Sequence, residues 1–191
     1  MITVASVRAI LSGIAFLALV QSCTVGDRNV PSVWPQRAVV PYAEVAVEGG
    51  EAPFSMGGFG SDMAFSAVDT TFWLLTDRGP NVDGRLPDSK VFLQPDFVPC
   101  IGVFRCEGDT LRRVRTIALR DSTGRPFCGL PNVSEGATGE TAFSIGGDVL
   151  SVGTQKGIDP EGLALMPDGS FWVSDEYGPF LMHFSADGRC M

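Results

Sequence analysis

The sequence predicts an all-β protein, and three observations carry that expectation. Gly and Pro together make 36 of 191 residues (23 + 13), a turn-rich composition that favours short strands over helical bundles. Apolar residues come in short runs bounded by Gly, Pro, Asp or Asn, and no window sustains the 3.6-residue apolar period of a helix. The third is an internal repeat: sliding the chain by 99 residues aligns GGFGSDMAFSAVDTTFWLLTDRGP, ending at Pro80, with KGIDPEGLALMPDGSFWVSDEYGP, ending at Pro179, without a gap.

In order, the predicted strands are Val45–Val47, Met63–Ser66, Phe72–Thr76, Ile101–Cys106, Leu111–Leu119, Val149–Val152, Leu163–Met166, Phe171–Ser174 and Phe180–Phe184. The repeat keeps Gly58/Gly157, Asp69/Asp168, Phe72/Phe171, Trp73/Trp172, Gly79/Gly178 and Pro80/Pro179, and conserves charge at Asp62/Glu161 and Asp77/Glu176. Each copy reads as strand, tight turn, strand and acidic loop. A propeller blade takes about 40–50 residues, so a spacing of 99 residues is close to two blades. The expectation is a β-propeller of four-stranded antiparallel blades, with about three to four present. The Phe-Trp pairs sit at matching strand positions, where neighbouring residues face opposite sides, and are read as packing between sheets rather than a substrate platform.

Before the first strand, Arg8 precedes a weakly polar-to-apolar run from Ala9 to Val20, followed by Gln21, Ser22 and Cys23, the layout of an export signal. Twelve residues are too few to span a bilayer as a helix. Val20-Gln21-Ser22-Cys23 is similar to a lipobox, so residues 1–22 are expected to be removed and Cys23 lipidated, with an ordinary cleaved signal as the alternative. Residues 23–41, with Pro31, Pro35 and Pro41, are expected to tether the domain 42–191. The product is then exported: periplasmic or anchored at the outer membrane, alternatively secreted. Its membrane contact would be the lipid anchor. Cys100, Cys106, Cys128 and Cys190 enter an oxidising compartment, where disulfides are open to them. Cys100 and Cys106 share one strand and cannot bridge each other.

The chain carries 22 acidic and 14 basic groups, net -8, with a pI near 4.5. That balance disfavours nucleic acid and suits a cation site. In the second repeat copy the Gly162–Pro167 run, the Asp168-Gly169 turn and the Ser170–Ser174 run form a hairpin, which brings Asp159 and Glu161 to the end occupied by Asp175 and Glu176. The same argument places Asp62 near Asp77 in the first copy, with Arg78 following. Hard oxygen ligands converging in this way suit Ca²⁺. No G-x-S-x-G elbow or glycine-rich phosphate loop is present. His183 is the only histidine and lies in a predicted strand, as a packed or edge residue rather than a general base.

The segments Phe59–Asn81, Gly124–Asn132 and, above all, Gly157–Arg189 resemble the phytase-like family, exported β-propellers described as esterase-like proteins related to phytase. The resemblance implies hydrolysis of phosphate or carboxylic esters of small molecules, assisted by Ca²⁺. D-P-E-G followed by W-V-S-D also resembles Ca²⁺-dependent six-bladed lactonases, in which a Glu before Gly binds a central metal. Carried over, this makes Glu161 the first metal ligand, with Asp175, Glu176, Asp77 and Asp159 around it. Arg78 would grip a substrate anion, Ca²⁺ would help present a water, and an unpaired carboxylate such as Asp175 would accept its proton, with Glu176 counted beside them as catalytic. The competing readings are a non-catalytic Ca²⁺-stabilised binding module and an inactive fragment of such an enzyme. From Cys23 onward 169 residues remain (191 − 22), fewer than four blades at about 45 residues each, so the domain is expected to be incomplete at its C-terminus.

Overall fold

A computed structural model describes residues 34–41, 43–45, 54–56, 58–132, 139–178 and 180–191. The export signal, Cys23 and the first part of the tether lie outside these residues. Among the described residues twelve strands are formed: β1 Ala43–Val45, β2 Phe54–Met56, β3 Asp62–Ser66, β4 Thr71–Leu75, β5 Asn81–Asp83, β6 Ser89–Phe92, β7 Cys100–Glu107, β8 Thr110–Ala118, β9 Thr141–Phe143, β10 Pro160–Leu165, β11 Phe171–Asp175 and β12 Phe180–Phe184. No helix occurs among the described residues. The protein is all-β, with several separate sheets and none of them closed, an arrangement that fits a partial β-propeller.

The two repeat copies fold as the corresponding hairpins β3–β4 and β10–β11. The first belongs to a four-stranded antiparallel sheet of order β3-β4-β7-β8, the second to a three-stranded antiparallel sheet of order β10-β11-β12. Gly169, at φ 87°, makes the turn of the second hairpin, a left-handed conformation that glycine adopts without steric cost. Alternation sends Trp73, Leu75, Ile101, Val103 and Ile117 to one face of the larger sheet, where they meet Leu163, Phe171, Val173 and Phe184. Burying each of these large side chains contributes about 1.5–3 kcal/mol. Trp73 meets Phe171 edge-on at 6.1 Å between ring centroids, so these two members of the repeated aromatic pairs pack one sheet on the other.

A third sheet, β5-β6-β9, departs from the antiparallel expectation, because β6 and β9 run parallel. Its core is a second apolar cluster of Phe92, Cys128, Leu130 and Ala142. The run Val149–Val152 forms no strand; only Val149 bridges, to Phe143, because the Ser144–Asp148 turn spends the available pairing on a local loop. The end of the expected tether is not detached from the domain. Val39 donates to the Asp109 carbonyl and accepts from the Leu111 N–H, while Trp34 lies edge-on to Phe65 and Phe72. Past β12 the chain turns through Ser185–Gly188 and returns, with Cys190 bridging Phe184 and the Met191 N–H reaching the His183 carbonyl. Cys100, Cys106, Cys128 and Cys190 are free thiols.

Candidate functional site

Antiparallel pairing puts Asp62 opposite Leu75 and Pro160 opposite Asp175, so both acidic loops emerge at the same end of the two packed sheets. The pairing of β10 with β11 shifts register between Pro160 and Gly162, leaving Glu161 as the extra residue of a bulge. Two neighbours shape this bulge. Gly162 has no side chain where a Cβ would stand 2.5 Å from the Ser174 hydroxyl, and the Leu163 N–H donates to Asp62 Oδ2 at 2.6 Å. A bulge re-aims one side chain out of the ladder. Here the Glu161 carboxylate joins those of Asp159 and Glu176, with ligand atoms all within 4.8 Å of one another. Asp159 is buried, whereas Glu161 and Glu176 are exposed.

The approach of these carboxylates is held from below. Asp175 Oδ1 accepts the N–H of Asp159 at 2.8 Å and of Tyr177 at 3.1 Å, and the Glu176 N–H donates to the Asp159 carbonyl at 2.9 Å. Asp175 is therefore not the unpaired carboxylate expected from the sequence: it is buried and clamps the two strand ends together. Burial pushes its pKa up, and the nearby Glu176 adds to this. Burial likewise drives Asp159 up to about 7, with Arg78 opposing the rise and Glu161 and Glu176 adding to it. Glu161 is raised by burial, then by Glu176 and Asp77, which places Asp77 at the edge of the same field. Asp77 Oδ1 accepts the Gly79 N–H at 2.7 Å and so shapes the first loop.

Arg78 is largely buried and faces inward. Its backbone N–H meets Asp159 Oδ1 and its Nε meets Asp159 Oδ2, each at 3.2 Å. Its Nη1 donates to Glu140 at 2.6 Å and to the Tyr177 hydroxyl at 3.2 Å, and the guanidinium lies over the Phe92 and Tyr177 rings. The fork expected to grip a substrate anion is engaged in positioning Asp159. Tyr177 is fully buried and donates its hydroxyl to the Gly129 carbonyl at 2.6 Å. The Gly124–Asn132 segment threads under both loops: a Cβ on Gly129 would stand 1.6 Å from the Arg78 carbonyl oxygen and one on Gly157 1.7 Å from that of Leu130. Asn132 closes the contact by bonding both the carbonyl and the N–H of Gly157.

The structure thus brings Asp159, Glu161 and Glu176 together, sets Asp77 and Arg78 beside them, places Asp175 beneath them and leaves Cys23 outside the described residues. Sequence reasoning did not single out Tyr177, Glu140 or Asn132. Tyr177 had a signal, since it occupies in the second copy the position that Arg78 holds in the first, 99 residues earlier. His183 lies flat on Trp172, with centroids 4.4 Å apart, and its Nε2 is 2.9 Å from Ser170 Oγ. The Ser170 hydroxyl donates to Asp168 Oδ1 at 2.6 Å, so its proton points to the carboxylate and not to the imidazole. That wiring is the reverse of a nucleophilic serine relay. Thr71 and Asp69 repeat the same hydroxyl-to-carboxylate bond in the first copy, which marks it as a device of the hairpin turn.

Three carboxylates whose ligand atoms lie within 4.8 Å of one another form a hard, all-oxygen donor set that fits a divalent cation such as Ca²⁺. Asp159 has lone pairs for a cation beyond its Arg78 contacts.

An uncharacterized secreted protein of Arthroderma benhamiae is 32% identical to this chain over 163 residues, covering 72% of the chain and 32% of the relative. The chain thus spans about a third of that relative's length. No solved structure matches it. The phytase-like family, described as "esterase-like activity of phytase", matches residues 55–190. On that match, with the all-β sheets and the acidic loops in their expected order, the chain belongs to the phytase-like family.

Proposed function

We propose that the chain is an exported phytase-like hydrolase that cleaves phosphate or carboxylic esters of small molecules by direct attack of water, with Ca²⁺ held by Asp159, Glu161 and Glu176 and with Asp77 alongside. The observation that carries this reading is the Glu161 bulge, which aims a carboxylate at two others. A bound Ca²⁺ would supply positive charge to a phosphoryl or carbonyl oxygen and lower the pKa of a water. Glu176 is exposed and accepts the water proton. The water oxygen bonds to phosphorus or the carbonyl carbon, the ester P–O or acyl C–O bond breaks, and the leaving alkoxide takes up the proton that Glu176 accepted. Asp175 and Arg78 act as positioning residues. The secreted relative and the signal-like N-terminus support export. The sheets are read as blades of a partial β-propeller, about three to four in this chain.

A second reading has its own observation. Asp159, Asp175 and Arg78 all organise backbone as well as charge, so a cation there could brace the two sheets of a non-catalytic binding module. Assays of p-nitrophenyl phosphate and p-nitrophenyl acetate with Ca²⁺ or excess chelator separate the two. The hydrolase reading expects Ca²⁺-dependent turnover of at least one substrate and its loss in Glu161→Gln. Equal turnover with chelator overturns the metal role, and Ca²⁺-dependent melting without turnover of any ester selects the binding module.

A further inference from the structure

A positive charge stands beside the three carboxylates proposed to hold a cation. Arg78 Nε lies 3.2 Å from Asp159 Oδ2, and a guanidinium there repels a metal ion drawn to the same oxygens. On the far side of the guanidinium, Nη1 meets Glu140 Oε2 at 2.6 Å, closer than Asp159 approaches Nε. The two side chains of this second pair are only 15% and 16% exposed, so dissolved salt screens their attraction little. Glu140 thereby offsets much of the Arg78 charge that would otherwise bear on Asp159.

The pair is placed by three parts of the fold. Glu140 stands one residue before β9, and Thr141, the first residue of β9, donates its N–H to the Asp88 carbonyl and pairs with Ser89 of β6. The guanidinium lies 5.9 Å from the ring of Phe92, the last residue of β6, and 5.6 Å from that of Tyr177. Its Nη1 also donates to the Tyr177 hydroxyl at 3.2 Å. The third sheet thus supplies Glu140, the first acidic loop Arg78, and the second Asp159 and Tyr177. Glu140 is outside the group of carboxylates that converge on one another, and its oxygen is turned to Arg78 instead.

We propose that Glu140 is a positioning residue of the cation site, acting through Arg78: it draws the guanidinium charge away from Asp159 and leaves Asp159, Glu161 and Glu176 to attract a divalent cation. This rests on the cation reading given above and adds to it a residue from a different sheet, which touches neither cation nor substrate. The parallel pairing of β6 and β9 then has a function, since it delivers the counter-charge of Arg78.

Charge, not side-chain size, carries the role, and calorimetric titration of the full chain with Ca²⁺ tells the two apart. Glu140→Gln keeps the shape and an acceptor oxygen but loses the charge, and should bind Ca²⁺ at least about tenfold more weakly than the parent. Glu140→Asp keeps the charge on a shorter side chain and should stay within about threefold of the parent. A purely structural role reverses that order. The double variant Arg78→Gln with Glu140→Gln removes both charges of the buried pair and should also stay within about threefold of the parent, because the competing guanidinium is gone. Melting in excess chelator checks that each chain is folded; if Glu140→Gln is not, Glu140→Asp and the double variant decide. Equal binding by Glu140→Gln and the parent overturns the proposal and leaves the cation site standing. So does a Glu140→Asp chain that binds more weakly than Glu140→Gln, or a double variant at least about tenfold weaker than the parent. A parent chain that binds no Ca²⁺ overturns the cation reading itself, and this proposal with it.

Discussion

Asp62 and Glu161 hold the same position in the two repeat copies, yet they do different work. Asp62 stays in register opposite Leu75 and sends its carboxylate to the Leu163 N–H of the neighbouring sheet. Glu161 falls in a bulge and sends its carboxylate out to Asp159 and Glu176. The loops diverge likewise. Asp77 turns back to its own loop at Gly79, whereas Glu176 joins the cluster, and Arg78 of the first copy meets Tyr177 of the second through a hydrogen bond. The first copy thus serves as the frame on which the second copy presents its carboxylates.

Substitutions should separate frame from site. The largest effect is expected at Gly129, where a Cβ would collide with the Arg78 carbonyl: Gly129→Ala should cost about 3 kcal/mol in urea unfolding. Asp175→Ala leaves two buried N–H groups without their acceptor, for about 2–3 kcal/mol in the same measurement. Asp62→Ala removes one acceptor between the sheets and should cost about 1 kcal/mol. The matching change in the second copy, Glu161→Ala, should fall within about 0.5 kcal/mol without Ca²⁺, as an exposed residue with like-charged neighbours. Equal costs at Asp62 and Glu161 would erase the distinction between the copies.

The smallest effect is a slope. Asp159 is raised to about 7 from the ordinary aspartate value of 3.8, so between those limits the folded state holds a proton that the unfolded state has released. Stability without Ca²⁺ should therefore fall as pH rises from about 4 to 7, by at most about 1.4 kcal/mol per pH unit from this group, and level off above 7. Unfolding of Asp159→Asn across the same range should show a shallower fall. An identical slope in the variant would assign the pH dependence to other groups.

The hairpins, the aromatic contact between sheets and the acidic loop end were legible because they rest on local signals: alternation, turn residues and a repeat in register. Asn81–Asp83 and Ser89–Phe92 were not read as strands, being short and polar, although Lys90 and Asp83 pair across them at 2.6 Å. The parallel partner of Ser89–Phe92 is Thr141–Phe143, about 50 residues away, and no local pattern encodes that pairing. The Glu161 bulge was hidden for the same reason, since the N–H beside it is taken by Asp62 from 101 residues earlier. Arg78 and Asp175 looked available for chemistry because sequence shows charge but not burial. In the fold Arg78 meets Asp159, Glu140 and Tyr177, and Asp175 accepts the N–H groups of Asp159 and Tyr177.

The central claim, that Asp159, Glu161 and Glu176 together hold a cation, is tested most directly by calorimetric titration of the protein with Ca²⁺. The account predicts one saturable site in the parent chain, its loss in Glu161→Gln and in Glu176→Gln, and its retention in Asp62→Asn. Saturable binding unchanged in both glutamate variants, or no binding by the folded parent, would contradict it.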